Sequence, residues 1–197
     1  MMNSPKFSPL RLGLFGLAVI LLWSCQNTEM EDDLNILDED MITATNISDE
    51  YFAELEISDE PEARRKAKWL KSRRNITVLK YRRGKNGDAP QLVYRSNRGD
   101  KGKYLPINEE TVTSILEPGE IVFWYAGAGV KILNEIDFDD ESEAALTDLP
   151  AQWKRSNMWF LKIPEEIDLE TLKYDIVYTL KGVDDPIRLD PKLQIDK

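Results

Sequence analysis

The sequence predicts a mainly β protein: a single β-sandwich over residues 75–197, preceded by a short basic helix and a disordered acidic tether. Three observations predict it. Short runs of β-branched and aromatic residues recur from Ile76 onward, separated by turn signals such as Asn86-Gly87 and Pro118-Gly119. Ile121 to Tyr125 is apolar on both faces, as a central packed strand must be. Leu172, Tyr174, Ile176, Tyr178 and Leu180 alternate with Lys173, Asp175, Val177, Thr179 and Lys181, the pattern of a half-buried strand.

At the N-terminus, Lys6 and Arg11 precede twelve mostly apolar residues, Leu12 to Trp23. A bilayer span takes about 20 such residues, whereas a secretion-signal core takes roughly 7–15. Residues 1–24 therefore read as a signal peptide. Leu22-Trp23-Ser24-Cys25 resembles the lipobox of bacterial lipoproteins. The resemblance implies cleavage before Cys25, thioether lipidation of its sulfur and acylation of the new amino terminus. It also implies a bacterial outer-membrane or cell-surface address, with the membrane as a partner through the lipid anchor. Cys25 is the only cysteine, so no disulfide is expected in the exported fold.

The net charge of −10 hides a segregation. Residues 26–60 carry thirteen acids and no base, residues 61–104 sum to +12, and residues 105–197 sum to −11. Residues 25–60, acidic and without a sustained apolar period, predict a lipid-anchored, solvated tether. Acids soon after the cysteine, Glu29, Glu31, Asp32 and Asp33, resemble the export signal of surface-displayed lipoproteins. Residues 61–74 then predict a basic amphipathic helix, with Ala63, Ala67 and Leu70 on one stripe and Asp59 as N-cap. Its seven bases suit anionic headgroups, nucleic acid or the chain's own acids, and the last is preferred, with Trp69 and Leu70 docked on the domain.

Strands follow at Ile76 to Tyr81, Gln91 to Arg95, Tyr104 to Ile107, Thr111 to Leu116 and Ile121 to Tyr125. Gly127 and Gly129 permit a bend into Val130 to Ile136. Asp140 to Leu149 predicts one or two helical turns, stopped by Pro150. Met158 to Ile163 and the alternating 172–181 strand come next. Ile187 to Leu189 and Leu193 to Ile195 complete a last strand, with Asp190-Pro191 as an edge irregularity. Around Glu117 to Trp124 the pattern is similar to the strand after the Pro-Gly turn in cupredoxin-like sandwiches, and an immunoglobulin-like sandwich fits equally. The chain has no histidine, so such a relative would lack copper.

The absence of histidine also removes the commonest general base and the serine–histidine and cysteine–histidine dyads. No catalytic residue is expected. Asp137, Asp139 and Glu141, with Asp140 and Glu143 beside them, fall near a calcium-loop spacing and are candidate Ca²⁺ ligands. No other cofactor is expected. Glu165-Glu166 and Asp184-Asp185 are acid pairs that carbohydrate hydrolysis would need across a cleft. Trp153, in a polar loop, is the candidate ligand platform. The expectation is a non-catalytic lipoprotein that binds an envelope protein partner or a glycan, and no nucleic acid. A carboxylate-based hydrolase and a structural subunit of an envelope complex are the alternatives.

Overall fold

A computed structural model of the protein describes residues 38–57, 59–82, 91–98 and 103–197. Residues 38–197 belong to one compact unit, and the stretch expected to be a signal peptide, with Cys25, lies outside the described residues. Three helices and eleven strands are described: α1 (Glu39–Glu56), α2 (Pro61–Ser72), β1 (Asn75–Arg82), β2 (Gln91–Ser96), β3 (Leu105–Pro106), β4 (Val112–Leu116) and β5 (Ile121–Ala126). After them come β6 (Val130–Phe138), α3 (Asp140–Ala144), β7 (Ala151–Gln152), β8 (Met158–Lys162), β9 (Thr171–Leu180), β10 (Ile187–Leu189) and β11 (Lys192–Ile195).

The strands form two mixed sheets packed as a β-sandwich. One is six-stranded in the order β3-β2-β1-β5-β8-β7, with β1 parallel to β5. In the other, five-stranded sheet, β6 lies along one side of β9. On the other side of β9, β11 pairs with its start and β10 with its end. Asp190-Pro191 interrupts that edge where the sequence placed the irregularity. Outermost is β4, parallel to β11. Between the sheets, Val122, Trp124, Leu161, Tyr174, Ile176 and Leu193 are among the buried core residues. Trp124 Nε1 donates to Tyr174 OH at 3.1 Å, so the indole is buried without losing its hydrogen bond.

Among the described residues Gly119, Gly129 and Gly182 have positive φ, and the first two are also crowded. Gly119 has φ +82° in the Pro118-Gly119 turn, and a side chain there would stand 3.3 Å from Glu165 Cγ. Gly129 has φ +81°, and a Cβ there would meet the Tyr81 carbonyl at 2.9 Å.

The structure corrects the tether expectation from residue 38 onward. The acidic stretch Glu39–Glu56 is a helix, capped by Asp38, whose Oδ1 accepts from Asp40 N at 3.2 Å. Its Ala44, Ser48 and Phe52 are buried. They pack with Leu70 of α2 against the outer face of the six-stranded sheet, where Ile76, Val78, Ile121, Phe123 and Met158 form a second core. That is why β5 is apolar on both faces: one faces the sandwich, the other faces the helices. The result is three layers, helices on sheet on sheet.

α2 is the predicted basic helix, but its N-cap position is Glu60, whose side chain does not cap the helix amides, and not Asp59. Leu70 docks as expected. Trp69 docks only in part: its ring edge lies beside Gly119 of the β4–β5 turn, while 42% of the residue stays exposed, with the Arg73 guanidinium 5.0 Å from its ring.

The charge segregation has a structural use. Asp38 accepts from Lys80 at 2.7 Å and Arg95 at 3.3 Å, and from the Tyr104 hydroxyl. Asp40 pairs with Lys80 at 2.9 Å and accepts from Ala128 N at 3.1 Å. Asp49 pairs with Lys71 and Arg74, and Glu54 with Lys154. The exposed pairs, Asp49 with Lys71 and Glu54 with Lys154, contribute about 0–1 kcal/mol each, less than burying one phenylalanine, while the Asp38 pairs with Lys80 and Arg95 are largely shielded from solvent. The ion pairs set register and polarity.

Burial opposes ionisation of Asp38 and Asp49, but cationic partners outweigh it: Lys80 with the Tyr104 hydroxyl at Asp38, and Arg74 with Lys71 at Asp49. Both carboxyls therefore sit below the ordinary 3.8. A carboxyl lowered on folding contributes stability above its unfolded value and loses it as pH falls through its folded value. With no histidine in the chain, α1 docking should stay constant from about pH 8 to pH 5 and weaken below about pH 4. Circular dichroism melts across that range check this. A loss of stability between pH 7 and 5 would contradict it.

Candidate functional site

Among the described residues a concavity lies between β2–β3 and β4–β11. It is a groove of about 800 Å³ lined by Tyr94, Ser96, Arg98, Lys103, Leu105, Gln194 and β4 residues Val112 to Ile115. Its floor is polar because hydroxyls replace apolar side chains where the strands approach. Buried Asn75 organises it: Oδ1 accepts from Ser96 Oγ at 3.0 Å and Ser114 Oγ at 2.9 Å. Ser114 Oγ also lies 2.9 Å from Thr77 Oγ1. Thr113 Oγ1 is 2.6 Å from Tyr174 OH, and Tyr94 OH donates to the Val112 carbonyl at 3.0 Å. Among the described residues no buried side-chain nitrogen or oxygen lacks a partner. A satisfied network of this kind is rigid. It holds the groove open and leaves recognition to the rim.

The rim has two parts. Arg98 Nη1 donates to both oxygens of Glu120 at 2.7 Å, and the Glu120 side chain is fully buried. Glu120 Oε2 also accepts from Glu117 N at 3.0 Å, and Oε1 lies 3.4 Å from Arg73 Nε. One buried carboxylate thus ties the end of α2, the end of β2 and the β4–β5 turn together. The other part is β4, which pairs with β11 on one side and lies at the end of its sheet's strand order. Val112 is 37% and Ile115 52% exposed on this edge strand. An edge strand with outward apolar side chains is a template for another chain.

A second, shallower groove of about 710 Å³ is lined by Ile107, Asn108, Glu109, Glu110, Asp175, Arg188, Leu189 and Asp190. Arg188 occupies its acids in part, pairing with Asp175 and, at 3.3 Å, with Asp137.

The sequence-nominated residues lie elsewhere. Asp137 is in β6 rather than in a loop, paired with Arg188. Asp139 caps α3, accepting from Ser142 N at 2.9 Å, and that hydrogen bonding holds its carboxyl below the ordinary value. Asp140, Glu141 and Glu143 are exposed on α3. Among the described residues no three of His, Cys, Asp and Glu converge as a cation site, so the five acids are not brought together.

Trp153 is not an open platform. Tyr51 of α1 packs edge-on against it at 5.0 Å, and Lys154 Nζ lies 4.7 Å over its ring. Lys154 and Arg155 both have positive φ, a tight turn that aims Lys154 at Glu54 of α1. Trp153 is part of the helix-docking surface. Glu165 pairs with Lys66, while Asp184 and Asp185 are exposed; none of these, nor Glu166, lines either groove.

The groove itself was missed by sequence reasoning. The signal was Thr113-Ser114, two hydroxyl residues in the middle of a strand. Set against known proteins, the chain matches no family model and no curated sequence.

Proposed function

We propose that the chain is an exported bacterial lipoprotein, held to a membrane through Cys25, whose β-sandwich binds an extended segment of an envelope protein along β4. The observation that carries the binding reading is the exposed edge at Val112 and Ile115 beside a preformed groove. Main-chain pairing to a sheet edge supplies affinity, and pockets for alternate side chains supply specificity. The Val112 and Ile115 carbonyls already accept from Tyr94 OH and Asn75 Nδ2, so a partner pairs with the remaining backbone groups of β4. The lipobox pattern at Leu22 to Cys25 supports the anchor. No described helix is long and apolar enough to cross a membrane. A glycan is the weaker occupant because Trp153 is engaged by Tyr51. A carboxylate hydrolase has less support still, since the larger groove is lined by no acid.

The test uses the chain in its own cells, with a photo-crosslinking residue replacing Ile115 or, as control, Val183, which is exposed in the β9–β10 connection. Position 115 should give one adduct of defined mass and position 183 none. Cys25→Ser should move the protein from the detergent phase to the aqueous phase and reduce the adduct. Equal adducts from both positions would overturn the edge-strand reading. Equal partitioning of wild type and Cys25→Ser would overturn the anchor.

A further inference from the structure

Of the seven bases on and just after α2, four are paired with acids: Lys66 with Glu165, Lys71 and Arg74 with Asp49, and Arg73 with Glu117 and Glu120. Arg64, Arg65 and Lys68 have no acid partner among the described residues. All three are exposed. At 100° per residue they share one arc of the helix with Trp69, opposite the buried Ala67 and Leu70. Trp69 is the apolar margin of this cationic face, 42% exposed beside Arg73.

From this arrangement we propose that the outward face of α2 is a membrane contact in which Arg64, Arg65 and Lys68 meet anionic lipid headgroups and Trp69 sits at the headgroup boundary. This builds on the lipid-anchored reading above.

The charges facing the site favour a local contact. Glu62 is the acid on the first turn of α2, while Glu117 and Glu165 near Trp69 are already occupied by Arg73, Lys66 and Lys162. The chain as a whole is acidic, but charges beyond about 8–10 Å are screened at physiological salt. A tryptophan at the patch edge suits an interface with one apolar and one wet side, which an acidic polysaccharide does not offer. The chain between Cys25 and Asp38 can span at most about 45 Å, so an anchored protein would hold α2 at high local concentration over the bilayer. Tethering then raises the occupancy of a contact that the untethered chain already makes on its own.

The experiment uses the mature chain, residues 25–197, carrying Cys25→Ser so that no acyl chain contributes. Its sedimentation with phosphatidylglycerol-rich vesicles is compared with that on pure phosphatidylcholine. Binding is expected to the anionic vesicles only, and to fall as salt rises. At about fivefold per charge, Arg64→Gln, Arg65→Gln and Lys68→Gln together should lower partitioning by roughly 100-fold. Trp69→Ala should lower it further. Lys131→Gln with Lys181→Gln, exposed bases elsewhere, should leave it unchanged.

Equal binding to both vesicle compositions, or wild-type binding by the triple variant, would overturn the proposal. So would retention on an acidic polysaccharide without vesicle binding. Because the assay needs no lipidation, its failure would leave the detergent-phase result for Cys25 untouched.

Discussion

Phe52→Ala should lower the unfolding free energy by about 3–5 kcal/mol, although it lies in a segment whose composition is that of a solvated linker. Phe52 is fully buried, its ring centroid 5.2 Å from Tyr51 and 5.8 Å from Phe123. It fills the space between α1 and β5, so truncation loses the transfer energy of the ring and leaves a void the rigid sheet cannot close. Glu54→Gln on the same helix removes an ion pair with Lys154 in which both side chains are about half exposed, and should cost less than about 1 kcal/mol. Urea denaturation of the two variants separates packing from charge as the source of docking. The Phe52→Ala midpoint should fall with little change in slope.

Glu120→Ala should cost about 3 kcal/mol, near the lower end for breaking a buried ion pair, because the two arginines left behind are each about one-third exposed and can rehydrate. Glu120→Gln keeps acceptor capacity for Arg98 Nη1 and should cost less. The effect should reach the groove. Without Glu120 the Arg98 guanidinium loses both of its 2.7 Å carboxylate contacts and keeps its hydrogen bond to the Arg73 carbonyl, so it is held less firmly on the rim. The crosslinked adduct from position 115 should therefore weaken in Glu120→Ala more than in Glu54→Gln. Equal adduct yields would separate the Glu120 network from recognition.

The strands were legible because each carries its own local signal. The alternation from Leu172 to Leu180 and the Pro118-Gly119 turn need no tertiary context. β7 was missed: two residues, Ala151 and Gln152, have no period to read, and only pairing with β8 makes them a strand. α1 was missed for another reason. Met41, Ala44, Ile47, Tyr51 and Phe52 do lie on one helical stripe, but Ala44 and Ser48 dilute it and the surrounding acids dominate the composition. Those acids become favourable only opposite Lys80, Arg95, Arg74 and Lys154, which are distant in sequence. The two-faced apolarity of β5 pointed to a covering layer on both sides, and charge segregation pointed to where that layer comes from. The calcium spacing failed because sequence position does not set direction: Asp137 on β6 faces Arg188, while Asp139 turns back to cap α3. The groove was invisible because its lining comes from β2, β3, β4 and β11, which the sequence does not order.

The central structural claim is that the acidic segment is a layer of the fold, and amide hydrogen exchange along α1 tests it most directly. At neutral pH, amides from Ala44 to Phe52 should be protected well above an unstructured chain and approach the protection of β1 and β5, whose outer faces they cover. Unprotected exchange across Ala44 to Phe52, in a protein whose β5 amides remain protected, would contradict the account.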